Sequence, residues 1–102
     1  MRVIASERAS GSRVIVVAAA SASRPAGLAL RVSSRPRQRV HGQWLVTCRR
    51  SGRSRSKRGN FNGRTTLRRS LRMPFSKPRR CRISASAQLG SRGRIRLTLL
   101  RR

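Results

Sequence analysis

The chain has 102 residues, and its 27 basic side chains face a single acidic one, which gives a formal net charge of +26 at pH 7. This length allows at most one small domain, and the charge implies a polyanionic partner. One carboxylate (Glu7), one histidine (His41) and two cysteines leave too few groups for acid–base catalysis or a four-ligand zinc site, so we expect no enzyme activity, metal or cofactor.

Residues 1–40 form a basic segment rich in Arg, Ser and Ala, for which three interpretations are open. The β-branched run Val14–Val17 is typical of a buried strand. The Arg- and Ser-rich, acid-poor composition is typical of an organellar transit peptide, whereas an apolar run before Ala20-Ser21-Ala22 is typical of a secretory signal. The segment is thus an N-terminal extension or a targeting segment.

Two short strands are predicted next, separated by a basic linker. Leu28–Val32 follows a predicted turn at 23–27 and alternates apolar with other side chains, as a half-buried strand does. Residues 41–48 show the same alternation. The segment 33–39, between these two strands, is predicted to be an extended basic linker that can follow a phosphate backbone.

Residues 49–82 carry 14 Arg or Lys and no Asp or Glu, so repulsion prevents this arm from collapsing without an external anion. Arg outnumbers Lys by 25 to 2 in the chain, and its guanidinium matches phosphate bidentately. The sequence therefore predicts an RNA-binding arm. Its predicted phosphate contacts are Arg49, Arg50, Arg53, Arg55, Lys57, Arg58, Arg64, Arg68, Arg69, Arg72, Arg79 and Arg80.

Little regular structure is predicted within the arm. Gly59–Gly63 has the composition of a turn, and Thr65–Met73 is predicted to be a short basic helix that ends before Pro74 and forms only against RNA. Trp44 and Phe61 are candidates for stacking on bases, with core packing as the alternative for Trp44.

Residues 83–102 are predicted to be a loop followed by a strand. Ser84–Gly93 is small and polar, as loops are. Arg94–Leu99 alternates basic or polar side chains with apolar ones, which predicts a half-buried strand with a basic outer face.

The expected fold is mostly irregular and extended, with a few short β-strands and one short basic helix. Leu, Ile, Val and Phe number 22, of which twelve precede residue 49 and six lie between 49 and 94. This content is near the boundary at which highly charged chains stay disordered. We therefore expect little independent core, and order that forms on binding RNA.

The basic stretch resembles segments of two ribosomal protein families. Cys48, Ser51-Gly52-Arg53, Arg55-Ser56 and Phe61 resemble the Cys-x-x-Thr-Gly-Arg-Pro-Arg segment of the organellar S-fourteen type. Gly52-Arg53, Lys57-Arg58-Gly59, Phe61 and Gly63 resemble the short Thx protein of the small subunit. Each resemblance covers under a quarter of the chain and implies a class: small Arg-rich proteins whose extended arms thread through folded rRNA.

The leading hypothesis is a non-enzymatic RNA-binding protein that is a structural constituent of a ribosome. Its Arg-rich arms would neutralise rRNA phosphates. The partners would be rRNA and neighbouring ribosomal proteins, with no small-molecule substrate. The location would be a cytoplasmic or an organellar ribosome, including that of the mitochondrion.

Two alternatives stay open. A secreted or membrane-active cationic peptide would bind an anionic membrane surface. In that case Cys48 and Cys81 could form a disulfide, whereas a reducing compartment would keep them as thiols. A poorly selected GC-rich reading frame would encode the same composition and would bind RNA without selectivity or evolved function.

Overall fold

A computed structural model describes residues 2–21, 27–72 and 80–101, and nearly all of them lie in six antiparallel β-strands. The strands are β1 (Arg2–Ser21), β2 (Leu28–Arg35), β3 (Arg39–Arg50), β4 (Arg53–Arg64), β5 (Leu67–Leu71) and β6 (Arg80–Arg101). They form one sheet in the order β4-β3-β6-β2-β5, and β1 pairs with the other edge of β6.

The central strand is β6, which pairs with β1 along one edge and with two strands in turn along the other. Its residues 80–89 pair with β3, and its residues 94–101 pair with β2. Near this change of partner, β1 shifts register at Gly11, whose φ of 135° suits only glycine. We call the part containing β3, β4 and residues 80–89 the hairpin half, and the part containing β2, β5 and residues 94–101 the second half.

One face of the sheet is apolar and forms a single core that draws on both halves. Its fully buried side chains include Leu30, Val32, Val46, Ile83 and Leu97. The side chains between them along each strand point to the opposite face, which we call the outer face. Sequence alternation thus separates the core from most of the charge.

The expectation of a mostly irregular chain with one helix and little core is wrong. The described residues contain no helix, and the chain builds its own compact core. A count of Leu, Ile, Val and Phe does not show how many of them the fold buries, and in the described residues 16 of the 22 are buried. Six further residues join them in the core: Ala29, Trp44, Cys48, Cys81, Ala85 and Ala87.

The predicted helix over Thr65–Met73 is also wrong, since its described part contains β5. Leu67 and Leu71 are four residues apart, and this spacing puts them on one face of a helix and equally on one face of a strand. Pairing with β2 decides between the two, because it places Leu67 opposite Val32 and Leu71 opposite Leu28.

The predicted turn at Gly59–Gly63 and the predicted loop at Ser84–Gly93 both lie in strands. In the second case, Ala85 and Ala87 are buried between β1 and β3, while Ser84 and Ser86, which alternate with them, point to the outer face. Because Ala and Ser are both small, composition alone indicated a loop and concealed the period of two.

Four strand predictions are confirmed. Leu28–Val32, residues 41–48 and Arg94–Leu99 lie in β2, β3 and β6, and each observed strand is longer than its prediction. The run Val14–Val17 lies in β1, as the strand interpretation predicts, but the strand is half-buried, because Ile15 and Val17 are exposed. The turn predicted at 23–27 lies outside the described residues except for Gly27.

Cys48 and Cys81 are directly opposite each other across β3 and β6 and form a disulfide, with their Cα atoms 4.0 Å apart. Both are buried at the end of the core. The bond closes a loop of 33 residues and fastens β3 to the central strand beside the β3–β4 turn.

Gln38 joins the two halves where the chain passes from β2 to β3. Its side-chain Oε1 accepts hydrogen bonds from Ser91 N at 2.8 Å and Ser91 Oγ at 2.9 Å. Its backbone oxygen accepts one from Thr65 N at 3.0 Å. Through these bonds, Gln38 connects Ser91, where β6 passes from pairing with β3 to pairing with β2, to Thr65, between β4 and β5.

Two glycines of the hairpin half lie under aromatic rings of the neighbouring strand. Trp44 is opposite Gly59, and Phe61 is opposite Gly42. A Cβ placed on Gly59 would lie 2.5 Å from Trp44 Cζ2, so the indole occupies the space that a side chain would need. This packing buries both aromatic residues although β4 is an edge strand.

We expect Gly59→Ala to lower the free energy of unfolding by about 1–3 kcal/mol, because the Trp44 indole must move. Trp44 is the only tryptophan, so its fluorescence during urea denaturation reports the change. Gly90→Ala is a matched control, since the nearest atoms to a Cβ there are 4.0 Å away. Equal unfolding free energies for the two variants would contradict this account of the packing.

Candidate nucleic-acid interface

The end of the hairpin half beside the β3–β4 turn gathers many of the predicted phosphate contacts. Ser51 and Gly52 form the turn with positive φ values of 50° and 77°, as two-residue hairpin turns require. Pairing places Arg49 opposite Arg80 on the outer face. The same face carries Arg58, opposite Leu45, and Arg82, opposite Thr47.

Three further cations of β4 point to the other side of the sheet. Arg53, Arg55 and Lys57 alternate with serines, and all three are exposed. Arg55 lies opposite the buried Cys48, so the core ends beside this edge strand and does not cover it. Both sides of the sheet are therefore positively charged here. The hairpin-end cations are Arg49, Arg53, Arg55, Lys57, Arg58, Arg80 and Arg82.

No carboxylate side chain is available to neutralise this end. Glu7, the only acidic side chain of the chain, lies in β1 opposite Leu97, beside the second half of the sheet. Arg49 and Arg80 face each other directly, and like charges in this arrangement repel. A phosphate placed between them would convert the repulsion into two charge-assisted hydrogen bonds.

A side-chain hydrogen bond on the outer face helps to hold this end in place. Thr47 Oγ1 and Ser56 Oγ lie 2.8 Å apart and connect β3 to β4 between the cations. Together with the disulfide on the opposite face, this bond fixes the spacing of the strands that present the arginines. The sheet therefore offers a preorganised cationic surface, which differs from the disordered arm that the sequence predicted.

Four of the other predicted phosphate contacts are not brought to this end. Arg64 ends β4, Arg68 and Arg69 belong to β5, and Arg72 follows β5. Arg69 donates hydrogen bonds to the backbone oxygens of Arg68, at 2.9 Å, and Asn62, at 3.5 Å. Arg50 does belong to this end, since it is the last residue of β3 before the turn and pairs with Arg53, whereas Arg79 lies outside the described residues.

An open polar groove of about 870 Å³ continues the outer face toward the middle of the sheet. Two rows of paired residues cross four strands there. The first row is Arg13, Gln88, His41 and Asn62, and the second is Ile15, Ser86, Gln43 and Asn60. Four side-chain amides thus lie beside an imidazole, a hydroxyl and a guanidinium, and they offer both donors and acceptors.

Sequence reasoning missed the groove because it searched for charge and not for uncharged polar groups. The available signal was a period of two in which polar residues flank a position that points to the core face. Asn60 and Asn62 flank Phe61 in this way, and His41 and Gln43 flank Gly42. The pattern indicates an outer face, but the pairing that aligns the rows depends on contacts distant in sequence.

The two predicted stacking residues lie on the core face. Trp44 is 7% exposed and Phe61 is 4% exposed. Because their rings pack over glycines, neither presents a free ring face to a base. The core-packing alternative for Trp44 agrees with this placement.

The parts of the chain that the structure describes contain no group of three or more His, Cys, Asp or Glu placed to hold a metal ion. Residues 2–21, 27–72 and 80–101 also include no helix long and apolar enough to cross a membrane.

The chain matches no protein-family model and no curated protein. Among solved structures, it is similar to a candidate secreted protein from Parabacteroides distasonis ATCC 8503, with a TM-score of 0.50 and 6% identity over 96% of this chain and 49% of that one. It is also similar to PirA, with a TM-score of 0.45 and 12% identity over 93% of each chain. The first similarity shows the fold alone, and this chain spans about half the length of the Parabacteroides protein.

Proposed function

We propose that this protein binds RNA without catalysing a reaction, through the outer face and the edge of its hairpin half. The observation that carries the proposal is the set of seven exposed hairpin-end cations held by one hairpin and the adjacent strand, with no carboxylate side chain beside them. Arg matches phosphate oxygens bidentately, and a phosphate backbone supplies a line of such groups.

The groove gives this surface a second role. Phosphates would bind at the hairpin-end cations, while unpaired bases would enter the groove and form hydrogen bonds with its amides. The Gln43–Asn60 pair is the next pair on the outer face after the Leu45–Arg58 pair, two residues along each strand. A strand of RNA could therefore contact cations and amides together, and single-stranded RNA is the form whose bases are free to do so.

A place in a ribosome is a narrower form of this proposal. The sequence-based argument for it relied on extended arms threading through rRNA, whereas the folded sheet would dock on rRNA as a surface. Neighbouring ribosomal proteins would then contact its remaining faces. Co-sedimentation with ribosomal particles at high salt distinguishes this form from binding to other RNAs.

A secreted cationic protein that binds anionic membrane surfaces is the second candidate function. Two observations favour it: the Cys48–Cys81 disulfide, which is typical of oxidising compartments, and a small apolar patch on the outer face. In this patch Ile15 and Val17 are 53% and 56% exposed, and Leu45 lies opposite Arg58. Apolar side chains beside cations suit a lipid interface.

Titration of RNA at several salt concentrations tests the two candidates. If all seven hairpin-end cations contact phosphates, a single-stranded RNA should bind with a log–log salt slope of about −5, since each contact contributes about −0.7. Fluorescence anisotropy of a labelled RNA measures the slope, with anionic vesicles as competitors. A flat salt dependence would contradict RNA binding by this surface, and binding to vesicles without binding to RNA would support the second candidate.

A further inference from the structure

A second basic cluster lies on the outer face where β1, β2 and β6 pair, and all of its members lie outside the predicted RNA-binding arm of residues 49–82. Arg8 faces Arg96 across β1 and β6, and Arg35 faces Arg94 across β2 and β6. With Arg37, these residues line an open pocket of about 700 Å³, which we call the arginine pocket.

The arginine pocket contains no carboxylate side chain. Its other lining residues are Ala9, Ser10, Ser33, Ser34, Thr66 and Ile95. Glu7 precedes Arg8 in β1, and the alternation of a strand directs it to the opposite face. Two directly opposed arginine pairs are therefore brought together with no acidic side chain to offset their repulsion.

Hydroxyl groups complete the pocket. Ser34 Oγ already donates to Pro36 O at 2.9 Å and bonds to Thr65 Oγ1, so it holds the wall of the pocket in place. Ser10, Ser33 and Thr66 contribute further hydroxyls to the lining. Guanidinium and hydroxyl donors in one concave site are a combination that binds the oxygens of a phosphate.

The size of the site indicates more than one phosphate. A second opening of about 520 Å³ shares Ser10, Arg35 and Arg94 with the arginine pocket and adds Arg92. The arginine pocket is thus lined by five arginines, and the adjoining opening adds a sixth beside the shared Arg35 and Arg94. A single phosphate carries too little charge to offset them, whereas a chain of two or three linked phosphates carries several charges in a compact form.

We infer that the arginine pocket binds a compact oligophosphate group, such as a pyrophosphate or a triphosphate. The cations come from three strands and from Arg37 in the segment between β2 and β3, and they line one concavity, which favours a compact polyanion over an extended backbone. The group could be a free inorganic oligophosphate or the 5′-triphosphate end of an RNA, since the two present the same oxygens. The inference stands without the proposed RNA binding at the hairpin end.

Thermal unfolding with sodium tripolyphosphate tests the inference. We expect the Tm of the parent protein to rise by about 10 °C or more at a ligand concentration 100 times the Kd. Sodium chloride at the same ionic strength should give a much smaller shift, because screening does not bridge the guanidinium groups. An equal shift in both salts would overturn the inference.

Two pairs of substitutions locate the binding. Arg35→Gln with Arg94→Gln should reduce the response to tripolyphosphate at least tenfold in apparent affinity, and should raise the ligand-free Tm by removing a repulsive pair. Arg8→Gln with Arg96→Gln should act in the same way and serves as the second variant if the first folds poorly. If these arginines only supported the fold, their replacement would not raise the ligand-free Tm while weakening the response to tripolyphosphate.

A matched control comes from the hairpin end. Arg49 and Arg80 are also directly opposed on the outer face, so Arg49→Gln with Arg80→Gln removes the same charge from an equivalent pair. This variant should retain the full response to tripolyphosphate while losing RNA affinity. If it loses the response as the pocket variants do, binding depends on net charge and the pocket is not the site.

Two RNAs of the same sequence identify the source of the oligophosphate. Tighter binding of RNA with a 5′-triphosphate than of RNA with a 5′-hydroxyl, abolished by Arg35→Gln with Arg94→Gln, would assign the pocket to RNA ends. Equal binding of the two RNAs, with the tripolyphosphate response intact, would assign it to a free oligophosphate. If neither RNA binds, the proposed function is refuted. The tripolyphosphate experiment still tests the pocket, because it does not depend on RNA binding.

Discussion

Replacing Arg49, Arg58, Arg80 and Arg82 together with Gln should weaken the binding of single-stranded RNA about 100-fold at 0.15 M salt. These four cations share the outer face of the hairpin half, and each should neutralise one phosphate. Loss of four contacts should make the log–log salt slope shallower by about 2.8. Anisotropy titration of the parent and the variant at four salt concentrations measures both quantities.

The control for this result removes the same charge from elsewhere. Arg31, Arg39, Arg64 and Arg72 are exposed and lie outside the hairpin-end cations, so their replacement with Gln lowers the net charge equally. This variant should retain affinity within a few-fold of the parent. Equal losses in the two variants would show that net charge governs binding, and would count against a localised interface.

The distinction matters because a net charge of +26 alone binds any polyanion. A localised interface requires the strands to hold cations at fixed spacing, which the folded sheet does and a disordered arm would not. The slope of the salt dependence counts the phosphates engaged, whereas the position of the substitutions shows where they bind. Both measurements are needed to separate a site from diffuse attraction.

Several parts of this fold were predictable from local sequence. The alternation in Leu28–Val32 and in Arg94–Leu99 predicted strands, because apolar and polar side chains there differ strongly in hydropathy. The charge of residues 49–58 likewise predicted a cationic segment, although as part of a disordered arm and not as a hairpin. Each of these inferences depends only on neighbouring residues, which a single sequence supplies.

The parts that failed depend on contacts distant in the chain. The spacing of Leu67 and Leu71 fits a helix as well as a strand, and only the pairing with β2 decides between them. Ala85 and Ala87 can be assigned to the core only once β6 is known to pair with β1 and β3. Asn62 in the groove is aligned by the same long-range pairing. A single sequence contains no direct record of register, so these features could not be derived.

The arginine pocket shows the same limit for charge. Arg8, Arg35 and Arg94 are far apart in sequence, and none lies in the run that composition identified as the binding arm. Pairing through β6 brings them together. Local charge density therefore located one cationic surface and overlooked another of comparable strength.

Reduction of the Cys48–Cys81 disulfide should lower the free energy of unfolding by about 3–4 kcal/mol and the Tm by about 15 °C or more. The bond constrains a 33-residue loop in the unfolded chain, and in the folded chain it fastens β3 to β6 at the end of the core. Urea denaturation followed by Trp44 fluorescence, with and without a thiol reductant, measures the loss.

A double substitution, Cys48→Ala with Cys81→Ala, separates the bond from other effects of the reductant. The variant should have the stability of the reduced protein and should not respond to the thiol; unchanged stability of the parent on reduction would contradict a structural role for the bond. Arg49 and Arg80 directly follow and precede the two cysteines, so loss of the bond should also loosen the cationic surface. If the RNA salt slope becomes shallower on reduction in step with stability, the preorganised hairpin end is what binds RNA, and the protein would bind RNA most tightly where the disulfide persists.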